Sequence, residues 1–314
     1  MRTIYSFLFL LLSFTFITIT SCDEESTNFP IELNDISSPP GSYINKLAIN
    51  SRGDFFAVSS NNLFISTNRG TSWDTLANSA DEILITSDDY IFIRRYMVNG
   101  TALYRSSNSG KSWTEILLDE FYIASITEDQ NGNIYACGRG LRKSSDNGNT
   151  WEMIYQGNVF NAGITNSNTI VIGIPGHFVG QLWFSSDNGI SWDSTGYYIN
   201  FPTFCNYKTF IFAGGLFGDE GGGGVHKSSD GIIWKSCGLS QSSVTSFISN
   251  RQNKLFIGTS EGIYFTEDEG RTWQNVLVDS VITTLMKDEF GYLYAGTIYG
   301  TFLRSTDNGL KWHN

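Results

Sequence analysis

Ser144-Ser-Asp-Asn-Gly-Asn-Thr-Trp151 decides the reading of this sequence, because the same octapeptide returns along the whole chain. Upstream are Ser66-Thr-Asn-Arg-Gly-Thr-Ser-Trp73 and Ser106-Ser-Asn-Ser-Gly-Lys-Ser-Trp113. Downstream come Ser185-Ser-Asp-Asn-Gly-Ile-Ser-Trp192, the shortened Ser228-Ser-Asp-Gly-Ile-Ile-Trp234, then Thr266-Glu-Asp-Glu-Gly-Arg-Thr-Trp273 and Ser305-Thr-Asp-Asn-Gly-Leu-Lys-Trp312. The tryptophans follow one another at 40, 38, 41, 42, 39 and 39 residues. A fixed period of this length marks a repeat architecture, in which each unit buries its faces only against its neighbours.

Each position of the octapeptide suits a tight turn. The third residue (Asn68, Asn108, Asp146, Asp187, Asp230, Asp268, Asp307) carries a side-chain oxygen that accepts from backbone N–H groups just ahead, so asparagine serves as well as aspartate. The glycine two positions on supplies a positive φ. The fifth copy has Gly231 one residue early, which predicts a tighter turn there. The closing tryptophan is a large apolar anchor whose indole N–H keeps a polar partner. These seven acidic or amide residues are therefore read as structural rather than catalytic.

Between the octapeptides lie short apolar runs bounded by polar turns, the pattern of strands. Asp54–Val58 with Leu63–Ile65, Lys254–Gly258 with Ile263–Phe265, and Tyr292–Gly296 with Phe302–Leu303 read as second and third strands of a unit. Ile44–Ile49, Ser246–Ile248 and Thr284–Met286 read as first strands, and Glu115–Leu118 and Asn275–Val278 as fourth strands. Four strands per repeat and seven repeats predict an all-β, seven-bladed β-propeller. Only His313 and Asn314 follow the last tryptophan, so the seventh blade lacks a fourth strand of its own. Phe29–Asn34 is expected to supply it and close the ring, pairing an otherwise open edge.

On these seven motifs, over residues 29–314, the chain resembles the BNR or Asp-box repeat proteins, a group that includes sialidases, xyloglucanases, the sortilin luminal domain and a photosystem II assembly factor. The resemblance implies that the octapeptide turns join the third and fourth strands on the face away from function. It implies little about activity, since one fold hosts many functions. The chain lacks the Phe/Tyr-Arg-Ile-Pro motif of the sialidases, whose domains have six blades, and has one propeller where xyloglucanases have two.

The N-terminus is a targeting segment. Phe7–Thr20 is an apolar run too short for a comfortable membrane span, and Ile19-Thr20-Ser21-Cys22 resembles a bacterial lipobox. The expected organisation is a signal peptide over residues 1–21, a lipidated Cys22 with an acidic tether over 22–28, and the propeller over 29–314. This points to export and to anchoring at the outer membrane or cell surface of a Gram-negative bacterium, with the membrane reached only through the lipid. The formal charge of −11 argues against nucleic acid, whose phosphates need Lys/Arg density. Besides Cys22 there are Cys137, Cys205 and Cys237, irregularly spaced and read as free buried thiols.

Function is expected on the face opposite the octapeptides, among the turns between second and third strands and the connections between blades. Ligand-binding candidates are Arg94, Arg95 and Tyr96, Arg139 and Arg142, His177 and Phe178, Phe217 and Tyr299. The arginines suit partner carboxylates. Asp219 and Glu220, on the glycine-rich insertion 214–224, and Glu261 are the candidate catalytic carboxylates. His226 flanks that insertion, and neither it nor His177 has the spacing of a metal ligand. Asp119, Glu120, Tyr197 and Tyr198 stand on the same side. No metal or cofactor is expected, and a monomer is plausible. The leading reading is a non-catalytic surface lipoprotein that binds a protein or a glycan. The alternative is a sialidase-like or xyloglucanase-like glycoside hydrolase acting on extracellular polysaccharide.

Overall fold

A computed structural model describes residues 35–97, 100–116, 122–176, 179–218 and 222–314. Cys22, the tether, the expected strand Phe29–Asn34, Asp119, Glu120, His177, Phe178, Asp219 and Glu220 lie outside the described residues.

The strands gather into seven antiparallel sheets in chain order, six of four strands and one of three among the described residues. Blade 1 shows the plan: strand a Ile44–Ile49, b Phe55–Ser59, c Asn62–Ser66 and d Asp74–Asn78. The remaining a strands are Ala80–Ile85, Ile123–Glu128, Asn161–Ile164, Thr203–Tyr207, Val244–Ser249 and Ile282–Lys287. Each a strand touches the next, and the last touches the first, so the sheets stand in a ring around a central axis. The chain is a seven-bladed β-propeller.

The composition of the strands follows from their depth. Strand b is sandwiched between two neighbouring blades, so Phe55–Ser59, Ile134–Gly138, Leu255–Thr259 and Leu293–Thr297 are buried at every residue. They read as continuous rather than alternating apolar runs. The core is divided into seven clusters, each filling one blade interface. Between blades 1 and 2, for example, Phe56, Val58 and Leu63 meet Ile83, Ile91 and Ile93. Cys137 is buried in the cluster between blades 3 and 4, Cys205 and Cys237 are half-buried, and all three are free thiols.

In blades 1 to 6 the repeated turn joins strands c and d, in blade 7 it follows strand c, and every copy repeats one hydrogen-bond circuit. In the third copy the Ser144 hydroxyl donates to Asp146 Oδ1 at 2.8 Å while accepting from the Gly148 N–H at 2.9 Å. Asp146 also accepts from the Thr150 N–H and hydroxyl at 2.8 and 2.7 Å. In the first copy Asn68 Oδ1 takes the same N–H, and its amide donates to Ser72 Oγ at 2.8 Å. Both the fourth and the fifth residue are left-handed, as in Asn147 at φ 56° and Gly148 at 78°, so the turn is of type I′. The short fifth copy keeps Gly231 at φ 82° and drops the other left-handed residue, and Asp230 Oδ1 accepts from both Ile232 and Ile233. The tighter turn expected from its sequence is present.

The tryptophans seal each blade to the preceding one. Trp192 donates to the Ile154 carbonyl, on strand d of blade 3, at 2.8 Å, and Trp273 to that of Cys237 in blade 5 at 2.8 Å. Trp73 of blade 1 donates to Ser37 at 2.8 Å, so Ser37 holds the matching place in blade 7. Ile36 packs between blades 7 and 1 as Leu76 does between 1 and 2, and Ser38 Oγ accepts from the Phe302 N–H at 3.0 Å. The other end of this outer position is started by His313, which bridges Arg304 on strand c. The sequence pointed to Phe29–Asn34 for this role. That stretch lies outside the described residues, and among those described Ile36–Ser38 and His313 stand at this outer position.

Candidate functional site

Antiparallel order puts the a–b and c–d turns at one end of the blades and the b–c turns and blade connections at the other. Of the described candidates, Arg139, Phe217, Glu261 and Tyr299 stand in turns at the second end, the loop face, while Arg94 lies within strand b of blade 2 and Arg142 within strand c of blade 3. They do not converge on one point.

Arg94, on strand b of blade 2, is 9% exposed. Its Nε and Nη2 grip Asp81 at 2.9 and 2.8 Å, and Nη1 donates to the carbonyls of Ile123 and Ala124. Burial opposes its charge, but the hydrogen bond and the charge of Asp81 outweigh that and raise its pKa above the ordinary value. The guanidinium is spent tying blade 2 to the innermost strand of blade 3. Arg95 lies over the Tyr104 ring at 4.6 Å. Arg142 sits half-buried on strand c of blade 3 and is also engaged. Tyr96 is exposed beside Arg94.

Arg139 behaves differently. It occupies the b–c turn of blade 3, exposed, and it is the one charged side chain among the described residues lining a 640 Å³ cavity. The rest of that lining is Gly100, Tyr122, Ala124, Gly138, Asn158, Val159, Phe160 and Pro175. The cavity therefore sits off the axis across blades 2 to 4. Tyr122 and Phe160 each stand immediately before strand a of their blade. Phe160 leans on Phe201 of the next connection, with ring centroids 4.1 Å apart.

Tyr122, Asn158, Phe160 and Phe201 were not singled out from the sequence. The signal was available in the repeat itself, since aromatic residues stand one or two places before strand a in blade 1 (Tyr43) and in blades 3, 4 and 5, where blade 2 has Ser79.

Other candidates lie elsewhere on the loop face. Tyr299 is exposed in the b–c turn of blade 7, and Glu261, in that of blade 6, accepts from the Tyr264 hydroxyl. Phe217 is exposed in blade 5, where its N–H donates to Ser243 Oγ at 3.0 Å. The glycine run there is shorter as a loop than the sequence implied. Gly214 and Gly215 pair with Val225 and Gly224 as strand residues, and a Cβ at Gly214 would lie 2.4 Å from Val244. His226 is buried, accepting from the Tyr197 hydroxyl at Nδ1 (2.9 Å) and donating from Nε2 to the Gly223 carbonyl (3.1 Å). Burial lowers its pKa, so it is a neutral anchor for the loop end. Tyr198, its neighbour's neighbour on strand d of blade 4, is exposed.

No known protein-family profile matches the chain, and no curated protein matches it. Solved structures do. The extracellular domain of BT4673 from B. thetaiotaomicron is 14% identical with a TM-score of 0.67, over 87% of this chain and 39% of that one. The GH74 xyloglucanase Xcc1752 from Xanthomonas campestris is 13% identical with a TM-score of 0.68, over 89% of this chain and 55% of that one. YCF48, solved bound to D1 peptide, is 15% identical with a TM-score of 0.61, over 86% and 95%. The chain thus spans about two-fifths of the BT4673 domain, and at these identities the likeness establishes the propeller fold and nothing narrower.

Proposed function

We propose that this chain is an exported, lipid-anchored and non-catalytic binding protein, whose loop face holds a protein or a glycan at the outer membrane or cell surface. The observation that carries this reading is the cavity across blades 2 to 4, where exposed Tyr122 and half-buried Phe160 stand beside Arg139, whose guanidinium has no partner among the described residues. Pockets that bind ligands combine an apolar lining with a few placed polar groups, and this one does. The likeness to an extracellular domain and to a propeller solved with a peptide supports the same reading. Export and anchoring rest on the lipobox-like run ending at Cys22, with residues 1–21 as signal, 22–28 as tether and 29–314 as propeller.

The test is affinity enrichment from crosslinked cells of the full-length protein against a Cys22→Ser control. A stoichiometric surface partner that is lost with Arg139→Ala supports the reading. Release of reducing sugar by the purified protein, abolished when Asp219 and Glu220 become amides, would overturn it in favour of hydrolysis.

A further inference from the structure

Phe201 adopts a backbone conformation that bulky side chains of this chain otherwise take only at Leu239 and Lys208 among the described residues outside the octapeptide turns. Its φ is +44°, and among the described positive-φ residues it is the single aromatic; most of the others are Asn, Ser, Asp or residues of the octapeptide turns. A bulky side chain adopts this region only under constraint, and the following Pro202 narrows its choices further. The strain does not serve burial, because the ring is 52% exposed. It holds the Phe201 ring against Phe160, which lines the cavity with the 43%-exposed Tyr122. Strain retained where nothing is buried marks a site held ready for a ligand.

Resting on the loop-face reading above, we infer that Phe160, Phe201 and Tyr122 form a stacking subsite for a neutral sugar ring, with Asn158 and Arg139 bonding its hydroxyls. A pyranose presents flat C–H faces that lie on aromatic rings, and equatorial hydroxyls that take hydrogen bonds from amides and guanidinium groups. The charges agree. Among the described residues a single cation borders the cavity, on a chain of net −11, and that overall charge disfavours an acidic polymer and leaves neutral chains as the fitting glycans. The aromatic positions repeat over blades 3, 4 and 5, so the occupant is a linear chain running along the mouth of the ring.

The experiment uses the full-length protein in detergent and measures its retention on immobilised mannan, xylan, β-1,3-glucan and hydroxyethylcellulose, with polygalacturonate as the acidic counterpart. The expected result is retention on at least one neutral polymer, indifferent to added salt, and weakened about tenfold in Phe201→Gly by loss of one ring contact. Glycine relieves the positive φ, so the melting temperature of Phe201→Gly should stay within about 3 °C of the parent, which separates lost binding from lost folding. Retention on none of the neutral polymers, or retention unchanged in Phe201→Gly and Phe160→Ala, overturns the inference. If a crosslinked protein partner is lost with Arg139→Ala while no polymer is retained, the glycan assignment falls and the loop-face reading stands; if both fail, both fall.

Discussion

The two ends of the blades obey different rules. At the octapeptide end one circuit is written seven times, and its polar atoms are satisfied from within: the serine hydroxyl, the aspartate oxygens and the turn N–H groups all answer one another. At the loop end some bonds recur in a few blades, but no side-chain circuit is common to all seven. Strand a carries a bulge at its second residue in blades 1, 2, 6 and 7, and the bulged residues do different things. Asp81 grips Arg94, while Thr245 and Thr283 donate to carbonyls of the next blade. The lesson is that repetition here tracks stability, and departure from repetition tracks the surface left for a partner.

The sharpest way to break that division is to remove an anchor from the repeated end. Trp234 is buried between blades 4 and 5 and donates to the Gly231 carbonyl at 2.9 Å. Trp234→Ala should cost about 3–5 kcal/mol, measured by denaturant unfolding. A cost below about 1 kcal/mol would show that the repeated end is not where the ring is held together. Next in size is the seam. The Ser37 N–H donates to the Gly70 carbonyl at 2.7 Å, and Ser37→Pro deletes that donor while leaving the carbonyl in place. A loss of about 1–3 kcal/mol is expected. Hydrogen exchange should then quicken first in blades 7 and 1, since these meet at the seam.

How far the sequence could be read follows the same line. Ile44–Ile49 was legible residue for residue, and the other strands within one or two positions, because the octapeptide supplied a register and burial supplied the apolar runs. The seam was legible in kind: Ser37, the partner of Trp73, belongs to the N-terminal segment, while Phe29–Asn34 lies outside the described residues. The candidate site was legible only in part. Arg94 and Arg139 look alike in sequence, yet Asp81, thirteen residues before Arg94 and across a β-bulge, consumes the first. Which cation a fold neutralises depends on contacts that spacing does not reveal. Tyr122, Phe160 and Phe201 stand just before strand a, outside both the octapeptides and the apolar runs that carry the register.

A smaller effect sharpens the comparison within the octapeptides. The N–H and hydroxyl of Thr150 hold Asp146 down to about 2, the hydroxyl and N–H of Ser191 hold Asp187 down to about 2, and Thr272 likewise lowers Asp268. A folded pKa below the unfolded value of about 3.9 contributes stability that is present above that pH and lost as pH falls toward the folded value. The protein should therefore lose stability between about pH 4 and pH 2. Asn68 and Asn108 show that an amide closes the same circuit without a charge. Replacing Asp146, Asp187 and Asp268 together by asparagine should leave the melting temperature at neutral pH nearly unchanged and flatten its fall on the acid side. An unaltered acid limb would mean that other carboxylates govern it.

The smallest expected change in stability belongs to Arg139→Ala. The side chain is exposed and has no partner among the described residues, so unfolding should shift by no more than about 0.5 kcal/mol. That silence is what gives the substitution its value. Arg94, on the neighbouring blade, cannot be removed without stranding Asp81 at 6% exposure, and any lost function there would be confounded with lost structure. Arg139 bears on partner capture alone. If removing it leaves both stability and capture intact, then the unrepeated end is not in itself the binding end, and the line drawn between the two faces would have to be redrawn around the aromatic residues instead.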